Sequence, residues 1–452
     1  MHGPKITVIG AGSYFFGRPI IKLMATSQVM AGGTLALVDT DKRVLGTMMH
    51  MAERVFQKNH SQVKLLGATD RKKVMAGSDF IVLTFGIKTA YYRGIETEIA
   101  AKYGIRQPSG QTNGPSGVIT ALRNVPHAIM VARDALKLAP HAWIINLVNP
   151  TDVLGLALGR YVPEMRSFAL CDGHREPENT LTWLKVAGIL PESVMSIPPD
   201  VYNKLDLRIG GVNHCCWMVR FTYDGQDMLP TVNRWVVKMQ KNQPNADYGF
   251  VQQLFELYGA LPTIISHTKE YVPFFQGNGV NPVIPHPLDI FNAKARTQAM
   301  AESWRLNEEY AAGKRSVRYF LNHTGSEITN DVMESMWGQM GRCYYINTAN
   351  RGAVTNMPYD AYLELRCDID LHGPRPHPFG PMPRGILALQ NEVLDAHELA
   401  AEAAVSGDKA VLRRAMLADP ICNNIADADA YIAELLNAEK DDLPKNWFKG
   451  GK

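Results

Sequence analysis

The first 200 residues predict a parallel, doubly wound α/β sheet, and three observations carry that prediction. A β-branched strand runs into a glycine turn and an apolar helix pattern at the amino end. A second strand ends in an acid. Further continuous apolar runs then alternate with helical stretches, as expected of strands covered on both faces. From Lys5, Ile6-Thr7-Val8-Ile9 is the first strand, and Gly10-Ala11-Gly12-Ser13-Tyr14 is the turn. Ile20, Ile21, Leu23 and Met24 give the helix its apolar face.

Glycines in such a turn let the backbone approach a pyrophosphate, whose charge meets the amides at the helix start. Gly10, Gly12, Ser13 and Tyr14 are therefore candidate cofactor residues. The usual fingerprint is GxGxxG, but its third glycine is Phe15 here and Gly17 comes two places late. Thr34-Leu35-Ala36-Leu37-Val38 is the second strand, ending in Asp39. An acid at that point takes the ribose hydroxyls and favours NAD over NADP; as the alternative, Asp39 caps the helix that follows. Runs from Asp79 to Thr84 and from Trp143 to Pro150 supply further strands. Ligands of such sheets sit beyond the carboxyl ends of the strands, which places Thr84 and Asn149 beside the cofactor. The arrangement is Rossmann-type, as in lactate and malate dehydrogenases. Residues 1–200 form that unit, and residues 201–452 an α+β domain for substrate and oligomer contacts. In it, helical spacing marks 251–257, 298–312 and 387–405, ahead of a polar tail from Glu439 that is expected to be mobile.

A chain 46% hydrophobic and 20% charged has ordinary globular proportions. Its net charge of +3, with the cations scattered, gives no basic stripe for nucleic acid or a membrane surface, so the expected partner is a small molecule. The amino end shows no leader, and no run of about eighteen apolar residues occurs, so the expected location is cytoplasmic. The six cysteines form no CxxC pair and read as reduced thiols.

Between the strands, Ser109-Gly110-Gln111-Thr112-Asn113-Gly114-Pro115-Ser116-Gly117 is loop chemistry, either a surface Ω-loop or a ligand loop. Arg93 and Glu96 just upstream are candidate sugar or phosphate contacts. After the strand from Arg166 to Leu170 comes Cys171-Asp172-Gly173-His174, facing a helix start near Pro177. A helix N-terminus or a divalent cation favours the thiolate. Gly211-Val212-Asn213-His214 supplies an imidazole. Cys171 and His214 are thus a candidate metal pair, although each taken singly reads as a core residue.

The order of these blocks, glycine turn, acid after the second strand, GQTNGPSG, NPTD at 149–152, CDGH at 171–174 and GVNH at 211–214, resembles glycoside hydrolase family 4. EYVPFF from Glu270 and NRGAVTNMP from Asn350 look like the family's later blocks, so the resemblance spans about residues 5–435. It implies a glycosidase that needs NAD and a divalent metal, usually manganese, and stands apart from two-carboxylate glycosidases. It also implies Cys171 and His214 as metal ligands, Tyr271 as base, and Asp172 as acid, with His174 sharing or replacing that role. Asn149 and Asn213 become sugar contacts. The blocks split on substrate: Gln111 resembles the 6-phospho-glycosidase branch, whereas SHTKEYVPFF and YGALP resemble the α-galactosidase and α-uronidase branch. An anionic substrate would need Arg93, Arg123, Lys269 or Arg351, and the expected substrate is an unphosphorylated α-glycoside or α-uronide. A homodimer or homotetramer is implied. The alternatives are a 6-phospho-α-glucosidase of the same family, a simple 2-hydroxyacid dehydrogenase that would need no metal thiolate, and an NAD-sensing regulator.

Overall fold

The computed structural model describes residues 3–13, 15–276, 288, 290–422 and 427–448; Tyr14, expected in the cofactor turn, lies outside them. Strand and helix alternate through the first half: β1 (Lys5–Ile9), α1 (Gly17–Thr26), β2 (Thr34–Val38), α2 (Lys42–Lys58), β3 (Lys64–Ala68), β4 (Phe80–Leu83), α3 (Thr89–Lys102), α4 (Gly114–Leu138), β5 (Trp143–Asn146), α5 (Thr151–Tyr161), β6 (Ser167–Ala169) and α6 (Glu178–Val186). A short α7 (Pro199–Tyr202) leads to the hairpin of β7 (Leu205–Gly211), β8 (Trp217–Tyr223) and β9 (Gln226–Asp227). Then come α8 (Leu229–Asn242), α9 (Tyr248–Tyr258), β10 (Leu261–Pro262), α10 (Ile265–Thr268), α11 (Ala293–Ala311), α12 (Val317–His323) and α13 (Ile328–Trp337). β11 (Cys343–Ala349), β12 (Tyr362–Asp370) and β13 (Gly373–Pro376) precede the closing helices α14 (Arg384–Ser406), α15 (Lys409–Ala418) and α16 (Ala428–Ala438).

The amino-terminal strands pair in parallel in the order β3-β2-β1-β4-β5-β6, the doubly wound order of a dinucleotide fold. β6 then takes β11 antiparallel through Ala169 and Asn347, and β12, β7, β8 and β10 follow, all antiparallel. Among the described residues, the two halves expected to divide near residue 200 therefore share one sheet of 13 strands. β4 shows why its sequence is a continuous apolar run. Phe80 and Val82 enter the cluster on one face, Ile81 and Leu83 that on the other.

Among the helices, α9 and α14 contain the stretches expected at 251–257 and 387–405, and α11 covers the third as far as Ala311. α2 is capped by Asp41, whose carboxylate accepts the backbone N–H groups of Arg43 and Val44 at 2.7 and 3.1 Å, which leaves Asp39 for another task. For its described part, up to Phe448, the expected mobile tail is corrected. Glu439 and Trp447 are buried, the latter in the same cluster as α4 and α14, because the chain end covers an apolar face that helices alone leave open.

Candidate active site

The crevice at the carboxyl ends of β1 and β4 is built by its backbone. Gly10 holds φ +94°, and a Cβ there would stand 2.6 Å from the backbone of Phe85, so a side chain is excluded twice over. Thr84 fixes the turn by donating its hydroxyl to the Gly10 carbonyl at 2.7 Å. Ser13 closes it with a backbone bond to the same carbonyl at 3.0 Å. Asp39 accepts the Gly12 N–H at 3.0 Å and the Asp41 N–H at 3.1 Å, so its carboxylate is held where the second strand ends. α1 begins with no side-chain cap and no acid in its first turn. An uncapped helix start behind a backbone no Cβ can enter fits a dinucleotide pyrophosphate.

Beyond β6, Cys171 and His214 both adjoin Asn213. The Asn213 amide hydrogen-bonds the Cys171 thiol, and His214 is the next residue, held in the left-handed region at φ +64°. His214 Nδ1 lies 3.0 Å from Thr112 Oγ1, which makes Nε2 the nitrogen a metal would take, and its ring stacks on His267 at 4.0 Å. Burial pulls the His214 pKa well down, assisted by His267, His397 and Arg93. Burial pushes the Cys171 thiol well up, assisted by Glu364 and Asp172. A neutral imidazole is the metal-binding form, and a cation would reverse the penalty on the thiolate, so this donor pair fits a divalent ion. Asp172, next to Cys171, is exposed, with Oδ1 3.9 Å from the thiol.

Tyr271 is fully buried on the other side of His214, its hydroxyl donating to the Asn213 carbonyl at 3.3 Å. Burial, then the Asp152 charge, pushes its phenol well up, so its ionisation calls for a cation close by. Thr112 bonds both Tyr271 and His214, which makes the GQTNGPSG segment a wall of this site and not a surface loop. Asn149, half-buried after β5, is oriented by accepting the Thr151 hydroxyl at 2.8 Å.

Three expectations are corrected here. His174 is no proton donor to a substrate: it is fully buried, with Nδ1 2.6 Å from Glu364 Oε1 and Nε2 2.8 Å from Thr263 Oγ1. Asn213, expected at the sugar, is fully buried and donates its amide nitrogen to Glu364 at 2.7 Å, beside its contact with the thiol. Arg351 is exposed at the wrong end of the sheet. β11 runs antiparallel to β6, so the residue after its end lies toward the amino ends of the parallel strands, where Arg351 donates to the Pro374 carbonyl at 3.1 Å. Of the other cations, Arg123 is sealed against Glu96 and Glu439, and Lys269 pairs with Asp247 at 2.8 Å. Arg93 lies nearest the site of the four: it is buried with its guanidinium bonded to Ser109, and its charge helps lower the His214 pKa.

Sequence reasoning missed the layer beneath. Glu364 on β12 binds both His174 and Asn213, and with Cys216 and His174 it forms a sealed cluster whose donor atoms lie within 4.8 Å of one another. Because Glu364 and His174 are already bonded to each other away from solvent, this trio supports Cys171 and does not replace it. Asp152 accepts the Asn213 N–H at 3.2 Å and pairs with His397 of α14 at 3.2 Å. A signal existed for Glu364, since a carboxylate at a core-facing position of an apolar strand requires a partner.

Two family models match consecutive parts of the chain. The family 4 glycosyl hydrolase model covers residues 5–184, and the model of that family's C-terminal domain covers residues 209–422. The chain belongs to glycosyl hydrolase family 4. Within family 4, it is 26% identical to an alpha-galactosidase of Bacillus subtilis, over 98% of this chain and 99% of that protein. It is 24% identical to an alpha-galacturonidase of Thermoanaerobacter italicus, over 100% of this chain and 98% of the relative. The family 4 fold is shared with a solved 6-phospho-alpha-glucosidase from gut microorganisms in complex with NAD and Mn2+, at TM-score 0.77 and 20% identity over 98% and 99% of the chains. Among the described residues, no family 4 helix here is long and apolar enough to cross a membrane.

Proposed function

We propose that this family 4 glycosidase hydrolyses an unphosphorylated α-glycoside or α-uronide with NAD and a divalent metal, manganese in the first instance. The supporting observation is that Cys171, His214 and Tyr271 all adjoin Asn213, with Asp172 next to Cys171, beside a dinucleotide crevice. NAD held at Gly10, Gly12, Ser13 and Asp39 would take and return a hydride at sugar C3, and a metal held by Cys171 and His214 would act as Lewis acid on the C2 and C3 oxygens.

With a ketone at C3, the C2 proton becomes acidic enough for a side-chain base. Tyr271 takes it, and the Asn213 carbonyl and Thr112 hold the phenol in place. Asp172, the exposed carboxyl at the mouth, protonates the departing C1 oxygen as the C1–O bond breaks. Water then adds at C1 and a proton returns to C2, so no net oxidation occurs. Two observations support an unphosphorylated substrate: the alpha-galactosidase and alpha-galacturonidase relatives, and the single cation, Arg93, that the four candidates leave at the site. One guanidinium suits a neutral sugar or one carboxylate better than a phosphate dianion.

The test is a panel of nitrophenyl glycosides, α and β, neutral, uronate and 6-phosphate, assayed with NAD, Mn2+ and thiol reductant. Turnover of neutral or uronate α-substrates, lost with chelator and restored by Mn2+, is the expected result. Selective cleavage of the 6-phosphates would move the enzyme to the other branch, and full activity after metal stripping would remove the metal.

A further inference from the structure

Cys343 opens β11 directly opposite Asp368 of β12. β13 turns back along β12, and the next residue, His377, donates its N–H to the Arg366 carbonyl at 2.8 Å, which seats its ring beside that pair. Three adjacent strand segments thus bring a thiol, a carboxylate and an imidazole to one patch. Cys343 Sγ and His377 Nε2 each lie 2.9 Å from the same oxygen, Asp368 Oδ1, and 3.9 Å from each other. None of the three belongs to the reaction site around Asn213.

We propose that Cys343, Asp368 and His377 form a second metal site of this chain, one for a zinc-class divalent cation. Sulfur, imidazole nitrogen and carboxylate oxygen form a ligand set that zinc accepts. Tetrahedral zinc, with bonds of about 2.0–2.3 Å, sets its donor atoms about 3.3–3.6 Å apart, and the observed separations bracket that range. The β11–β12 and β12–β13 ladders fix the three backbones, so side-chain rotation alone completes the geometry. The His377 and Asp368 side chains are 36% and 51% exposed, which supplies an entry path and leaves the fourth position to water. One carboxylate oxygen serves both the thiol and the imidazole, and a cation would replace both contacts at once. Arg375, the neighbouring cation, is turned to Asp370 at 2.9 Å and does not fill the position. A bound ion would tie the segment after β13 to the start of β11.

The experiment is titration of the full chain with Co2+ as a coloured stand-in for Zn2+. The background is Cys171→Ser with His214→Ala, which removes the reaction-site donors. One equivalent of cobalt with a thiolate charge-transfer absorption is expected, bleached by Zn2+. It should vanish on adding Cys343→Ser, and affinity should weaken by at least about tenfold with His377→Ala. No such absorption, or one that survives Cys343→Ser, overturns the site. Should that background fail to fold, elemental analysis of the zinc-loaded wild type and of Cys343→Ser decides: loss of one equivalent upholds the proposal and unchanged stoichiometry ends it. Both readouts stand whether or not the reading of the glycosidase site holds.

Discussion

At the scale of single residues, the site separates groups that act from groups that hold. Tyr271 contributes a buried phenol whose removal costs its bonds to the Asn213 carbonyl and Thr112 and leaves the ring packed, so Tyr271→Phe should fold normally. Its turnover should fall by about 10²- to 10⁴-fold, the usual contribution of a positioned base. Hydrolysis in deuterated water should place deuterium at C2 in the wild type, and wild-type rates of that exchange in the variant would disqualify Tyr271. Asp172→Asn should slow substrates with poor leaving groups far more than activated aryl glycosides, since only the former need a proton on the departing oxygen; equal losses would move the acid elsewhere. The metal pair could be proposed from the residue types in two short motifs read together, whereas the acid and base roles came only with the resemblance to family 4. His174 and Asn213 misled for a physical reason. Polar residues beside a ligand and polar residues beneath one look alike in sequence, and the deciding partner, Glu364, lies 190 residues away from His174 on another strand.

At the scale of the element, the glycine turn shows what a fingerprint encodes. The third glycine lets helix and strand pack closely, and in this chain Gly17 performs that role two places late. A Cβ on Gly17 would stand 2.7 Å from both the Ala11 carbonyl oxygen and Met48 Cε. Gly46, inside α2, has nothing within 4 Å of the same position. The two substitutions should therefore have opposite signs in denaturant unfolding. Gly46→Ala should stabilise by about 0.5–1 kcal/mol through helix propensity, and Gly17→Ala should destabilise by about 1–3 kcal/mol through overpacking while weakening NAD binding. A stabilising Gly17→Ala would mean that α1 is free to shift. The parallel strands were legible because burial on both faces writes continuous apolar runs. The antiparallel extension of the sheet was not, since the pairing of β6 with β11 depends on contacts about 180 residues apart that leave no local periodicity.

At the scale of the whole molecule, the carboxyl end is a working part of the core. Arg123 of α4 is buried against two carboxylates, Glu96 of α3 and Glu439 just past α16, so one guanidinium ties the amino-terminal sheet's helices to the chain end. Burial first, and then the neighbouring Glu96 charge, pushes the Glu439 carboxyl up to about 9 from an ordinary 4.5, against the pull of Arg123. The folded chain thus keeps a proton that the unfolded chain releases above the ordinary value. More protons bound in the folded state means that stability falls as pH rises, from near the ordinary carboxylate range up to the raised value, and levels off beyond it. The slope from one such group is at most about 1.4 kcal/mol per pH unit. Glu439→Gln keeps the shape and a neutral amide in place of the neutral acid, so it removes the titration and retains the seat beside Arg123. Subtracting the two melting curves isolates this group from the other buried carboxyls, among them Asp419 and Glu176, whose pKa values are also raised by burial. The variant should gain on the wild type steadily between about pH 5 and pH 9. A difference that stays constant across that window would mean that the latch holds no extra proton, with the guanidinium neutralising both carboxylates at once.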